Sequence, residues 1–250
     1  MRFFLDLSYN GQRFHGWQSQ SNAIGVQQVV EDCLSSILGT PTKVTGAGRT
    51  DTGVHALQMI AHFDAEIMDS EINSFMRKGN SFLGRDIKFN ALHRVKPDAN
   101  ARFDAVYRTY KYFITSEKDV FNWDFCYYFR ENLDYQIIHS ACEYIKDFND
   151  FKCFAKSKSD VKNFLCKISG INWTIKGHQD ILTIKSNRFL RGMVRCIAGT
   201  LIELGRGRLT LENLRDILVS GDRKAAGYSV PAKGLFLTSV EYPSDIFLTK

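Results

Sequence analysis

The chain has 250 residues, which suits one large domain or two small ones. At 44% hydrophobic and 24% charged it is a globular composition, which excludes a disordered chain. Its formal net charge of +6 favours a polyanion as partner, because phosphate contacts dominate nucleic-acid affinity.

No apolar run approaches the roughly 18 residues needed to span a bilayer. The N-terminal M-R-F-F-L-D-L-S-Y-N-G alternates and then turns, so it reads as a strand and not as a signal peptide. The expectation is a cytoplasmic protein with no membrane contact. Cys33, Cys126, Cys142, Cys153, Cys166 and Cys196 form no C-x-x-C pair, and H-E-x-x-H is absent. The expectation is reduced, buried thiols and no metal.

In chain order, Phe3–Tyr9 is a strand closed by the turn pair Asn10-Gly11. Val26, Val29, Val30, Cys33, Leu34, Ile37 and Leu38 recur at helical spacing up to Gly39. Residues 43–46 form a short strand leading into a glycine-rich loop, and 54–63 form the next strand. Ser70 is expected to cap a helix running to Phe82, and alternation over Ile87–Val95 gives a strand ended by Pro97.

The same order then returns. Residues 106–115 are a strand. Residues 134–146 are an amphipathic helix with Ile138, Ala141, Cys142 and Ile145 inward, and 166–175 and 181–186 are strands joined at Gly177. A helix is expected over 189–204, broken by Gly205-Arg206-Gly207, then a shorter helix capped by Thr210, and a last strand from Leu235 to Tyr242. Each half reads β-α-β-β-α-β, the ferredoxin-like order, with one helix added in the second. The expected fold is α+β, two such halves packed around a continuous mixed or antiparallel sheet. The expected division is 1–103 and 104–250.

The most informative stretch is G-A-G-R-T-D-T-G-V-H-A, Gly46–Ala56. It places one carboxylate, Asp51, beside Arg49 in a loop whose glycines permit sharp turns and close approach to a ligand. An adjacent guanidinium favours the charged carboxylate, the form that serves as a nucleophile. The plainer alternative is a turn with a solvated ion pair. Next is Arg108-Thr109-Tyr110-Lys111-Tyr112, where period-2 geometry sets Arg108, Tyr110 and Tyr112 on one face. Cations interleaved with aromatics suit a polynucleotide, although tyrosines on a half-buried strand can equally be core. Third, Arg188, Arg191 and Arg195 share one face of the expected helix, with no acidic residue to neutralise them.

These residues resemble the TruA-type tRNA pseudouridine synthases over nearly the whole chain. The Gly46–Ala56 run is similar to the family's signature loop. Ala101-Arg102-Phe103, the R-x-Y-x-Y of Arg108 to Tyr112, F-L-R-x-M-V-R from Phe189 to Arg195, A-x-G-L-F-L from Ala232 to Leu237 and Y-x-G-x-x-F-x-G-W-Q from Tyr9 to Gln18 support it. The resemblance implies a tRNA-uridine isomerase acting on the anticodon arm, as a homodimer without cofactor or metal. It implies that Asp51 is the essential aspartate, that Arg49 helps turn the nucleotide out, and that Tyr110 stacks on the flipped uracil. It pairs Arg195 with the catalytic carboxylate and makes Leu235 or Leu237 an apolar wall under the base. Arg108 and Arg191 are further substrate-binding candidates. The chain departs from the pattern at Asn100, Gly192 and Cys196, which bears on details of RNA contact.

Asp51 could attack the ribose or the uracil ring, or promote elimination through the sugar. Rival readings are few. D-T-G at Asp51 also occurs in aspartic proteases, which need two carboxylates sharing a site. A nucleotidase lacks its phosphate-loop motifs here. A non-catalytic tRNA-binding module on the same scaffold would use the same basic and aromatic residues. His55 and His62 read as structural. Lys152, Lys156, Lys158 and Lys162 form a basic segment that suits either a phosphate track or a solvated loop.

Overall fold

The computed structural model describes residues 1–156 and 163–248. Two compact units are found, Met1–Tyr107 with Phe236–Lys250, and Arg108–Leu235.

In the first unit, β1 (Arg2–Tyr9) lies between β3 (His55–Asp64) and β4 (Ile87–Val95), antiparallel to both. The register sets Phe3 opposite Phe63 and Arg94, and Leu5 opposite Ala61 and Leu92. β2 (Thr45–Gly46) covers only the Ala61–His62 end of the β3 edge. The chain's last strand, β9 (Leu235–Glu241), runs parallel to the other end, with Phe236 opposite His55 and Leu237 opposite Ala56. The first four strands therefore take the order β4-β1-β3-β2, that of a ferredoxin-like unit. Pairing of β9 with β3 groups the final residues with this unit, whereas the division expected from sequence placed all of 104–250 together.

The helices α1 (Val26–Leu38) and α2 (Ile72–Phe82) supply the apolar cover. Val26, Val30, Cys33 and Leu34 of α1 are fully buried, as are Phe3, Leu5 and Leu7 of β1. Phe75 of α2 stacks between Phe63 and Phe89 at ring distances of 6.1 and 6.5 Å. Burying such side chains contributes about 1.5–3 kcal/mol each, which sets the two helices on one face of the sheet. Ser70 does not cap α2. It lies in a 3-10 turn, Asp69–Glu71, where the Glu71 carboxylate accepts from the Met68 backbone, so the α-helix begins at Ile72, one residue later than a Ser70 cap predicts.

In the second unit β5 (Tyr107–Thr115) pairs antiparallel with β8 (Gln179–Ser186), which pairs antiparallel with β7 (Ile168–Lys176). A two-residue strand that the sequence did not announce, β6 (Tyr127–Tyr128), adds to the end of β5. α3 (Tyr135–Lys146) is capped by the Asp134 carboxylate and buries Ile138, Ala141, Cys142 and Ile145, the inward set its spacing predicts. α4 (Met193–Gly205) and α5 (Leu211–Ser220) follow, the latter opened by a Thr210–Asn213 capping box and ended by Gly221 in the left-handed region.

The expected helix over 189–204 is corrected at its start. Gly192 sits at φ +75°, outside the helical region, and α4 begins at Met193. Arg188 and Arg191 therefore precede the helix, and the three arginines do not form a stripe on one helical face. Only Arg195 is on α4.

Candidate active site

The Asp51 loop belongs to the first unit and is fixed from several sides. The Val54 N–H donates to the Asp51 carbonyl at 3.1 Å, closing the turn that carries the carboxylate. The residue before it, Thr50, is buried and shares a 2.8 Å hydrogen bond with the Tyr9 hydroxyl, while its carbonyl accepts from the Trp17 N–H at 3.2 Å. Gly16 lies so close that a Cβ there would stand 2.4 Å from the Thr50 carbonyl oxygen. At Gly46 a Cβ would stand 2.5 Å from the indole of Trp17, a side chain only 2% exposed. The glycines and aromatics thus do separate work: Trp17 forms a wall, and Gly16 and Gly46 let the backbone lie against it and against Thr50. What emerges is a half-buried Asp51 on a rigid backbone, with Arg49 exposed beside it.

The histidines of this region are structural. His55 is 1% exposed, accepts the Gly11 N–H on Nδ1 at 3.1 Å and stacks on Phe236 at 4.5 Å. His62 accepts the Ala101 N–H on Nδ1 at 3.0 Å, and its pKa is lowered by burial and by the nearby Arg2. That bond fixes the first residue of Ala101-Arg102-Phe103, which is fully buried and whose carbonyl accepts from the Tyr242 hydroxyl at 2.6 Å. Leu237 is 1% exposed beside Ala56 in the strand register.

The second unit carries Arg108, Tyr110, Arg191, Arg195 and Leu235. Tyr110 is half-buried and meets Phe189 edge to face, with ring centroids 5.0 Å apart. That contact fixes the plane of the tyrosine ring, which an aromatic stacking role requires. Arg108 Nη1 donates to the Asn187 carbonyl at 2.8 Å. Tyr112, the third residue of the same strand face, is core: it is fully buried and its hydroxyl donates to the Pro231 carbonyl at 2.8 Å. Burial raises its pKa far above the ordinary phenol value, so it stays protonated.

Arg195 is half-buried on α4, and its Nε donates to the Val230 carbonyl at 2.7 Å. Arg191 is exposed in the turn before α4, where its carbonyl accepts from the Lys156 N–H. Leu235 is 5% exposed. Sequence reasoning assigned no role to Phe189, Val230 or the Tyr9 hydroxyl. The quoted motifs that begin at Tyr9 and Phe189 contain two of them, whereas the Val230 carbonyl leaves no signature in side-chain spacing. Of the basic segment, Lys158 and Lys162 lie outside the described residues.

All six cysteines are free and buried. Burial pushes the thiols of Cys33, Cys142 and Cys153 up to about 12, and those of Cys166 and Cys196 up to about 11. These groups stay protonated and unreactive at neutral pH. Among the described residues, no cluster of three metal-ligating side chains occurs, and no helix is long and apolar enough to cross a membrane.

A family model described as tRNA pseudouridine synthase matches residues 148–243. The chain is 46% identical over 246 residues to the tRNA pseudouridine synthase A of Parabacteroides distasonis, covering 98% of each chain. It is 44% identical over 247 residues to that of Bacteroides fragilis, again 98% of each. Against that of Photobacterium profundum it is 35% identical over 251 residues, covering 99% of this chain and 95% of the other. Likeness of that extent runs through both units, and the chain belongs to the tRNA pseudouridine synthase A family, a family of isomerases.

Proposed function

We propose that the protein converts uridine to pseudouridine in the anticodon stem-loop of tRNA, with Asp51 as nucleophile. The observation that carries this reading is the Asp51 loop: a half-buried carboxylate on a backbone pinned by Tyr9, Trp17 and its own turn. A nucleophile held in this way needs little reorganisation when a substrate arrives.

The reaction breaks the bond between ribose C1′ and uracil N1 and forms one from C1′ to C5. The proton at C5 leaves and N1 gains one, so nothing is oxidised and no donor group is consumed. The base must first leave the stack, at a cost of a few kcal/mol. Exposed Arg49 fills the space it vacates, and Tyr110 stacks on the extruded ring. Arg195 supplies the cation that orients the Asp51 carboxylate. Arg108 and Arg191 meet phosphates, and Leu235 and Leu237 form the apolar wall under the base. On this reading residues 1–103 bring the aspartate and residues 104–250 the tyrosine and arginine. The enzyme works in the cytoplasm as a homodimer, with no cofactor.

The test is tritium release from tRNA labelled at uridine C5, comparing the wild type with Asp51→Ala. Release by the wild type alone is expected, and a tRNA without uridines in its anticodon arm should release none. No release from either protein, with tight tRNA binding retained, would replace this reading with that of a non-catalytic RNA-binding module.

A further inference from the structure

We propose that Thr200 is a positioning residue for Arg195, acting through the backbone of residues 227–230. The proposal rests on the reading of Arg195 as the cation of the Asp51 carboxylate.

Arg195 is tied to one short segment twice. Its Nε donates to the Val230 carbonyl at 2.7 Å, and the Val230 N–H donates back to the Arg195 carbonyl at 3.3 Å. With Nε engaged, the two terminal nitrogens of the guanidinium remain as a parallel pair of donors, the geometry that grips a carboxylate through both oxygens. The direction of that fork depends on where the Val230 carbonyl lies. This segment belongs to no helix or strand, so something else must hold it.

It is held by direct backbone contact with α4. A Cβ on Gly199 would stand 1.8 Å from the Tyr228 carbonyl oxygen, and one on Gly227 would stand 2.6 Å from the Thr200 nitrogen. Two glycines, one from each segment, allow the approach. Thr200 then locks it. The residue is fully buried, and its hydroxyl donates to the Cys196 carbonyl at 2.9 Å while accepting from the Gly227 N–H at 3.0 Å. A hydroxyl has one proton; committing it to the helix carbonyl leaves the oxygen as an acceptor facing Gly227. The Gly227 carbonyl is fixed as well, by Arg223 Nη1 at 3.1 Å and the Cys196 thiol at 3.5 Å. From Gly227 only two residues intervene before Val230. A threonine inside a helix has no advantage in propensity, and valine would fill the same volume. What threonine adds is the pair of hydrogen bonds.

The experiment compares Thr200→Val, Thr200→Ser, Arg195→Lys and the Thr200→Val/Arg195→Lys double variant by turnover of C5-tritiated tRNA. Thr200→Val is expected to lower kcat about 10- to 100-fold with KM little changed, the scale of a misdirected group. Thr200→Ser keeps the hydroxyl and should restore most of the rate. In the Arg195→Lys background, where the Nε bond is already absent, Thr200→Val should add no further loss. The Arg195 Nε–H resonance, identified by its disappearance in Arg195→Lys, should shift or broaden in Thr200→Val. Should the valine variant not fold, Thr200→Ala carries the same comparison. Wild-type kcat in Thr200→Val, failure of serine to rescue, or an equal further loss in the lysine background would overturn the proposal. Full activity of Arg195→Lys alone would instead remove the reading of Arg195 on which it rests.

Discussion

Tyr9, the last residue of β1, and Thr50, immediately before Asp51, share a 2.8 Å hydrogen bond between two buried hydroxyl groups. The bond ties the end of a core strand to the side chain of the residue that precedes Asp51. Tyr9→Phe keeps the ring against Trp17 but removes the bond. We expect a loss of about 1 kcal/mol, the usual worth of such a bond, measured by denaturant unfolding. Turnover of tRNA should fall more than tRNA affinity, because the loop carrying Asp51 loses one anchor. Unchanged turnover with reduced stability would confine this bond to a packing role.

Gly192 ends the loop before α4 at φ +75°, and the nearest atom to a Cβ there is Lys156 Cβ at 3.8 Å, an ordinary contact. The cost of Gly192→Ala is therefore backbone strain alone, about 1–2 kcal/mol. Gly192→Asn should cost less, since asparagine tolerates the left-handed region. Thermal unfolding of the two variants checks the order. Equal stability of glycine and alanine would mean the turn relaxes into the helix.

His62 accepts a backbone N–H on Nδ1, so protonation of that nitrogen breaks the bond. Its pKa in the fold lies below the ordinary 6.5, with burial the larger cause and Arg2 the next. The unfolded state therefore takes up the proton first. The stability that neutral His62 supplies is full above 6.5 and is lost as pH falls through the depressed folded value. Glutamine can accept the same bond at any pH, so His62→Gln should show a smaller drop in Tm between about pH 8 and pH 5. An identical drop in both proteins would place the acid sensitivity elsewhere.

Asp180 is 9% exposed and accepts from the Tyr135 hydroxyl at 3.2 Å. Burial raises its pKa above the ordinary 3.8, and the Tyr135 bond offsets this only in part. The unfolded carboxyl thus ionises at lower pH than the folded one. Stability is greatest while both are protonated and falls as pH rises through the raised value. Asp180→Asn keeps an acceptor for Tyr135 without the buried charge. Its Tm should exceed that of the wild type at neutral pH, and the difference should vanish below the ordinary carboxylate range. A variant less stable at neutral pH would show that the charged hydrogen bond outweighs desolvation.

Local signals determined a great deal of this protein. Period-2 alternation located β1 and β4, and period-3.6 spacing located α1 and α3, down to the buried set Ile138, Ala141, Cys142 and Ile145. Such patterns are legible because each residue's burial follows from neighbours two to four positions away. The Gly46–Ala56 run likewise carried its own meaning, since its glycines and its carboxylate are adjacent in sequence.

Only the tertiary structure decided what depends on residues far apart. The helical spacing of Arg188, Arg191 and Arg195 suggested one face, yet the backbone at Gly192 takes the left-handed turn and leaves Arg195 alone on α4. The period-2 pattern could not separate half-buried Tyr110 from core Tyr112, because a carbonyl at Pro231 and a ring at Phe189 make that difference. Arg195 is fixed by a carbonyl 35 positions away, and Thr50 by a hydroxyl 41 positions away. Backbone acceptors are the same at every residue, so a sequence cannot mark which carbonyl a guanidinium will meet; the close approach of two glycine-bearing segments chooses it.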